Sequence, residues 1–176
     1  MKLRARKFKL KKIRLQKEPE VETTDTEGPM FFSVKPKRTD LYQITPNLFM
    51  SGYDSACDYK SLNHLGISHI INLTSKQCPN SNFSKIEYSS FSLSDNPEFD
   101  LKPYIDEILQ IILAKMRQGK RVLVHCKMGI SRAPSIIIAY LIKSVGMTYE
   151  KAFDYILNIN SRVSPNLGYL MQLEEL

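Results

Sequence analysis

The chain has no apolar run near the ~18 residues that a membrane-crossing helix needs. Its N-terminus is charged but has no apolar segment behind the charge, so no secretory signal is expected. Cysteine is scarce. Cys57, Cys78 and Cys126 are the three present. Their number is odd and their spacing irregular, which argues against a disulfide framework and for a reducing compartment, cytoplasmic or nuclear. The three histidines (His64, His69 and His125) show no metal-ligand spacing with these cysteines. Neither a metal nor another cofactor is expected. Beyond residue 38 there is also no excess of charge. The net charge is +7. Residues 1–38 hold 12 Lys/Arg and 5 Asp/Glu, while residues 39–176 hold 13 of each. The second region therefore offers no bulk basic surface for nucleic acid or membrane.

What is present divides the 176 residues into a tail and one domain. Residues 1–17 carry nine basic residues and no acidic one. Their apolar side chains do not gather on one helical face, so a membrane-surface helix is not expected. Residues 18–38 are rich in Glu, Thr and Pro and read as a linker. Within the tail, Lys11-Lys12-Ile13-Arg14-Leu15 resembles docking segments for mitogen-activated protein kinases. A protein kinase is therefore one expected partner; the other readings of the tail are a disordered solvated arm, a nuclear localisation patch, or a contact with acidic lipid or RNA.

The whole sequence is 43% hydrophobic, enough for the remaining region to build a core. Two short strands, 41–44 and 48–50, flank a Thr-Pro-Asn turn. Asp54 or Ser55 can cap a helix running to Leu65, with Gly66 as its stop. Strands follow at 67–73 and 86–91. Asp100 is a candidate cap for a helix over 101–118. Val122 to Val124 form a short buried strand, and Ile136 to Ile142 lie in a buried helix. Thr148 can cap the next helix, and Ser164-Pro165-Asn166 opens the last. Alternating strands and helices predict an α/β fold with a central mixed, mainly parallel sheet flanked by helices.

Between the 122–124 strand and the helix after it runs His125-Cys-Lys-Met-Gly-Ile-Ser-Arg132. A loop at a helix N-terminus can aim its backbone N–H groups at an anion. A cysteine on its floor ionises more readily, and the thiolate is the nucleophilic form. Arg132 can grip two phosphate oxygens with its planar fork. Gly129 lets backbone approach a ligand closely. Five defined positions in eight would match by chance roughly once in ten million positions.

This run resembles the H-C-x5-R signature loop of the cysteine-dependent protein tyrosine phosphatases. Ser131 before Arg132, and no long insertions, resemble the dual-specificity branch. The resemblance spans about residues 39–176 and implies a phosphotyrosine-phosphatase-like fold. It implies that Cys126 attacks phosphorus to form a phosphocysteine and that Arg132 holds the phosphate. The amides of Lys127, Met128, Gly129, Ile130, Ser131 and Arg132 would complete the cage. Asp95, in Ser-Asp-Asn-Pro, stands where the family carries its general acid. Asp100 is the competing carboxylate, although it suits the helix cap. The resemblance gives His125 a structural and electrostatic role and Asn166 a supporting one. The larger tyrosine-specific enzymes use a Trp-Pro-Asp loop, and this chain has no Trp. Phosphoinositide phosphatases add basic residues inside the loop, where this chain has Lys127 alone. His-Cys-Lys-Met-Gly is similar to the slingshot type, without that type's additional regions. Ala133 departs from the Ser or Thr of many relatives, which bears on phosphocysteine breakdown. The expected substrates are phosphorylated proteins. The alternatives are a phosphoprotein-binding module with a weak site, or a phosphatase for a lipid or RNA phosphate.

Overall fold

In the computed structural model, residues 40–78 and 85–176 are described. The basic segment, the linker and the docking-like run at 11–15 lie outside them. Every described residue belongs to one unit, Lys37–Leu176.

The sheet has five strands: β1 (Leu41–Thr45), β2 (Leu48–Ser51), β3 (Ile67–Asn72), β4 (Glu87–Ser90) and β5 (Arg121–His125). Their spatial order is β1-β2-β5-β3-β4. Only β1 and β2 run antiparallel; β2, β5, β3 and β4 are parallel neighbours. Because side chains alternate across a strand, Val122 and Val124 enter the larger core while Leu123 enters the smaller one on the opposite face. Met50 and Phe49 divide in the same way. Strand β5 is thus buried on both faces, as its continuous apolar run requires.

The helices are α1 (Tyr53–Ala56), α2 (Tyr59–His64), α3 (Lys102–Arg117), α4 (Arg132–Lys143), α5 (Tyr149–Ile159) and α6 (Leu167–Glu174). Every residue from Ala133 to Leu141 of α4 is buried, so this helix is apolar all round. Thr148 caps α5 by accepting from the Lys151 amide. Asn166 caps α6 by accepting from the Tyr169 amide.

Three expectations change. The single helix from 54 to 65 is two helices, because α2 begins anew after Asp58, which takes a hydrogen bond from Ser61 Oγ at 2.6 Å. Leu101, not Asp100, occupies the cap position of α3. Asp100 nonetheless accepts from the Lys102 amide at 3.1 Å. Finally, Cys57 and Cys78 form a disulfide, with Cα atoms 5.3 Å apart. The fold carries the end of α1 beside the loop that leaves β3, a proximity that irregular spacing along the chain cannot show. Closing a loop of this separation, 21 residues, is worth about 3 kcal/mol in the chain-entropy account. Cys126 is the free cysteine, so the odd count does not mean three thiols.

Candidate active site

The parallel strands β2, β5 and β3 end level with one another, His125 pairing with Ser51 on one side and Asn72 on the other. Ligands in such sheets bind beyond the carboxyl ends of the strands. The 125–132 loop lies at that edge. Its shape is set by neighbours on both sides. The Tyr53 amide donates to the Lys127 carbonyl at 3.0 Å, and the Ser164 amide to the Ile130 carbonyl at 2.7 Å. Two carbonyls that would repel an anion are thereby committed to groups outside the loop.

Gly129 has φ +71°, and a Cβ there would stand 2.8 Å from Gly52 N and 2.9 Å from Ser51 C. The glycine is therefore required where the loop crosses the end of β2. The close approach that the structure displays is to backbone, that of Ser51 and Gly52. It aims the Gly129 amide at Cys126, donating to Sγ at 3.2 Å.

Arg132 opens α4 and is anchored by Nη1, which donates to the Leu73 and Leu93 carbonyls at 3.4 and 3.3 Å. Its Nε is 3.6 Å from Asp95 Oδ2. Asp95 Oδ1 accepts from Ser131 Oγ at 2.5 Å and from Asn166 Nδ2 at 3.0 Å. Asp95, Cys126, Ser131, Arg132 and Asn166 line one cavity of about 260 Å³. Lys127, Met128 and Ile130 add to the same lining from the loop, and Ser164 and Pro165 from the turn before α6. Asp100 is not in it.

Sequence reasoning missed how α6 holds the Asp95 loop. Tyr169, fully buried, donates its hydroxyl to the Ser94 carbonyl at 2.5 Å. Gln172 Nε2 donates to the Phe99 carbonyl at 2.9 Å, and its Oε1 accepts from the Leu101 amide at 2.7 Å. A Cβ on Gly168 would overlap the Pro97 carbonyl. A signal was available: glycine inside a helix costs about 1 kcal/mol against alanine, so Gly168 marks a close backbone approach.

His125 is buried, with Nδ1 3.4 Å from the Cys126 carbonyl. Burial holds its pKa down at about 4, against the pull of that carbonyl and with help from the Arg132 charge. The imidazole is neutral near pH 7, which suits a structural group. A folded pKa below the unfolded 6.5 makes its stabilisation complete above pH 6.5 and progressively lost as pH falls toward 4. Over that window, denaturant unfolding should show wild type losing up to about 3 kcal/mol more than a His125→Gln variant. Parallel curves would mean that His125 is as readily protonated in the folded chain as in the unfolded one.

The family model described as dual specificity phosphatase, catalytic domain, matches residues 48–176.

The chain belongs to the dual specificity phosphatase family.

Mouse dual specificity protein phosphatase 2 is 33% identical over 134 residues, covering 76% of this chain and 42% of that protein. Human serine/threonine/tyrosine-interacting protein is 33% identical over 148 residues, 80% of this chain and 66% of the other. The crystal structure of DUSP15 superposes with a TM-score of 0.73 at 28% identity, covering 78% of this chain and 86% of that one. The dual specificity phosphatase domain thus spans less than half the length of the mouse phosphatase it matches. Among its described residues no helix is long and apolar enough to cross a membrane. No group of His, Cys, Asp and Glu among them is clustered to hold a metal.

Proposed function

We propose that this chain hydrolyses phosphomonoesters on protein tyrosine, serine and threonine through a phosphocysteine. The observation that carries this is the convergence of Cys126, Arg132 and Asp95 on one cavity, with the Gly129 amide on the sulfur. In the first step Cys126 Sγ attacks phosphorus. The bond to the leaving oxygen breaks and Asp95 supplies the proton that oxygen needs. Arg132 and the loop amides take the charge on the other phosphoryl oxygens. In the second step water attacks phosphorus and gives its proton to Asp95, and the sulfur–phosphorus bond breaks. An incoming phosphoryl dianion competes with Asp95 for Arg132, which frees the carboxyl for this work. Ser131 Oγ and Asn166 Nδ2 then keep it over the leaving oxygen.

Ala133 is fully buried in the core, so the residue after Arg132 offers no hydroxyl to the departing sulfur. Ser135 and Ser131 are the nearest hydroxyls along the loop and helix, and both are committed, to the Ser131 carbonyl and to Asp95. Breakdown of the phosphocysteine is therefore the slower step in this reading.

Release of inorganic phosphate from matched phosphotyrosine, phosphoserine and phosphothreonine peptides tests the proposal, with a phosphoinositide and a 5′-phosphorylated RNA alongside. Turnover of the lipid or RNA with none of the peptides would overturn it. Binding of the peptides without any turnover would make the domain a phosphoprotein reader, the word "interacting" in one relative's name applying here too.

Two variants probe the parts. Arg132→Lys keeps the charge but loses the two-point fork and both carbonyl anchors. It should lower kcat/KM by ~100-fold. A near-normal lysine variant would mean that Arg132 does not touch phosphate. Gly168→Ala forces α6 and the Asp95 loop apart. It should slow phenyl phosphate by ~10-fold and destabilise the fold by about 1–3 kcal/mol. An unaffected rate would show that Pro97 can give way without moving Asp95.

A further inference from the structure

The 260 Å³ cavity that holds Cys126 has a larger neighbour, of about 820 Å³. The larger cavity does not contain the nucleophile. It meets the smaller one along Lys127, Met128 and Arg132, which line both. A substrate whose phosphate sits over Cys126 can lay a neighbouring residue on this ridge.

The second cleft is built rather than incidental. One wall is the start of α1, with Tyr53; the other is the loop after β3, with Thr74 and Lys76. Buried Asn72 shapes that loop. Its Oδ1 accepts from Thr74 N at 2.9 Å and Thr74 Oγ1 at 2.8 Å, and its Nδ2 donates to the Lys76 carbonyl at 3.0 Å. The walls are joined across the cleft. Tyr53 donates its hydroxyl to the Gln77 carbonyl at 3.0 Å, and Lys76 Nζ lies 4.4 Å from the Tyr53 ring centre. The Cys57–Cys78 disulfide also ties the end of α1 to the same loop. A cleft braced in this way exists before substrate arrives, so little ordering is lost on binding.

Its charge is one-sided. Lys76 and Lys127 line it with Arg132, against Asp54 as the one lining carboxylate. Ser92 and Ser94 add hydroxyls, and Met128, 62% exposed, adds an apolar ridge.

We propose that this cleft is a subsite for an anionic side chain beside the phosphorylated residue, with Lys76 and Lys127 as charge partners and Met128 packing its stem. The anion is a carboxylate or a second phosphate. The proposal rests on the phosphatase reading but concerns which phosphoprotein is chosen.

The test uses the full chain and a set of phosphotyrosine peptides. Each position within two residues of the phosphotyrosine carries Ala, Glu, phosphoserine or Leu in turn. At one position or more, kcat/KM for Glu over Ala should be about 5- to 10-fold, the yield of one or two partly exposed ion pairs. It should shrink at high salt. A still larger preference for phosphoserine would identify doubly phosphorylated sites as the ligand, and equality would identify acidic ones. The ratio is read within each protein, so a general loss of rate in a variant does not confuse it. Lys76→Met should reduce it at least twofold, and Lys76→Glu should reverse it. No acidic preference at any position, a preference for Leu, or a ratio unmoved in both variants would overturn the proposal. If no peptide is turned over, the phosphatase reading fails on its own. The subsite is then read from anisotropy of the same labelled peptides, where the same Glu-over-Ala ratio supports it and its absence overturns it.

Discussion

Cys126→Ser should abolish turnover and leave oxyanion binding in place. The sulfur sits on the floor of the cradle, within 3.2 Å of the Gly129 amide. Cys126 carries the one thiol of the cavity lining, which otherwise presents Asp95, Ser131, Ser164, Asn166, Lys127, Arg132 and the apolar Met128, Ile130 and Pro165. A serine hydroxyl does not ionise usefully near neutral pH, so bond formation to phosphorus fails. Losing a nucleophile costs several powers of ten, and ~10⁴-fold or more is expected here. The cage should survive, because its parts are held from outside the cysteine. The Lys127 and Ile130 carbonyls stay bonded to Tyr53 and Ser164, and Arg132 stays anchored on the Leu73 and Leu93 carbonyls. Tungstate at about 100 times its dissociation constant should then stabilise the variant by about 2.7 kcal/mol, as it does wild type. The measurements are phosphate release and a denaturation shift with and without tungstate. Retention of more than about a hundredth of the wild-type rate would remove Cys126 from the mechanism. Loss of the tungstate effect with the fold intact would mean that the sulfur helps to shape the cage.

Asp95→Asn should slow a substrate in proportion to how poorly its oxygen leaves. The carboxyl is held over the cavity by Ser131 and Asn166. Asparagine can keep both hydrogen bonds through its own carbonyl oxygen, so the geometry should persist while the proton is lost. Phenyl phosphate should slow by ~100-fold or more, the range of general acid catalysis. An aryl phosphate with a strongly acidic phenol needs no proton and should slow far less. Asp100→Ala is the control. Its carboxylate serves the Lys102 amide at the start of α3 and lies outside the cavity. Its removal should cost about 1 kcal/mol of stability and leave the rate unchanged. Equal slowing of good and poor leaving groups by Asp95→Asn would show that the carboxyl positions Arg132 rather than donating a proton.

The strand–loop–helix unit was legible because its determinants are contiguous. Val122 to Val124 read as a buried strand, and the run to Ile142, too long for a turn, reads as a buried helix. The cradle between them follows from joining the two. The cap at Thr148 was legible for the same reason, its side chain lying within three residues of the amide it serves, and so was the start of the last helix at 164–166. The mixed sheet followed from the alternation of elements. The α1–α2 break was not legible, since Asp58 competes with a helical pattern that looks continuous.

What the tertiary structure alone decided is which distant segments touch. Asn166 reaches Asp95 from 71 positions away, and Cys57 finds Cys78 across an intervening helix and strand. Gly168 meets the Pro97 carbonyl only because α6 packs against the Asp95 loop. Periodicity records which face of an element is apolar, not which partner covers it. The candidate residues Cys126, Arg132 and Asp95 were therefore named from the chain itself. Their distances, the disulfide and the braced cleft beside them were set by how helices and loops pack around the ends of β2, β5 and β3.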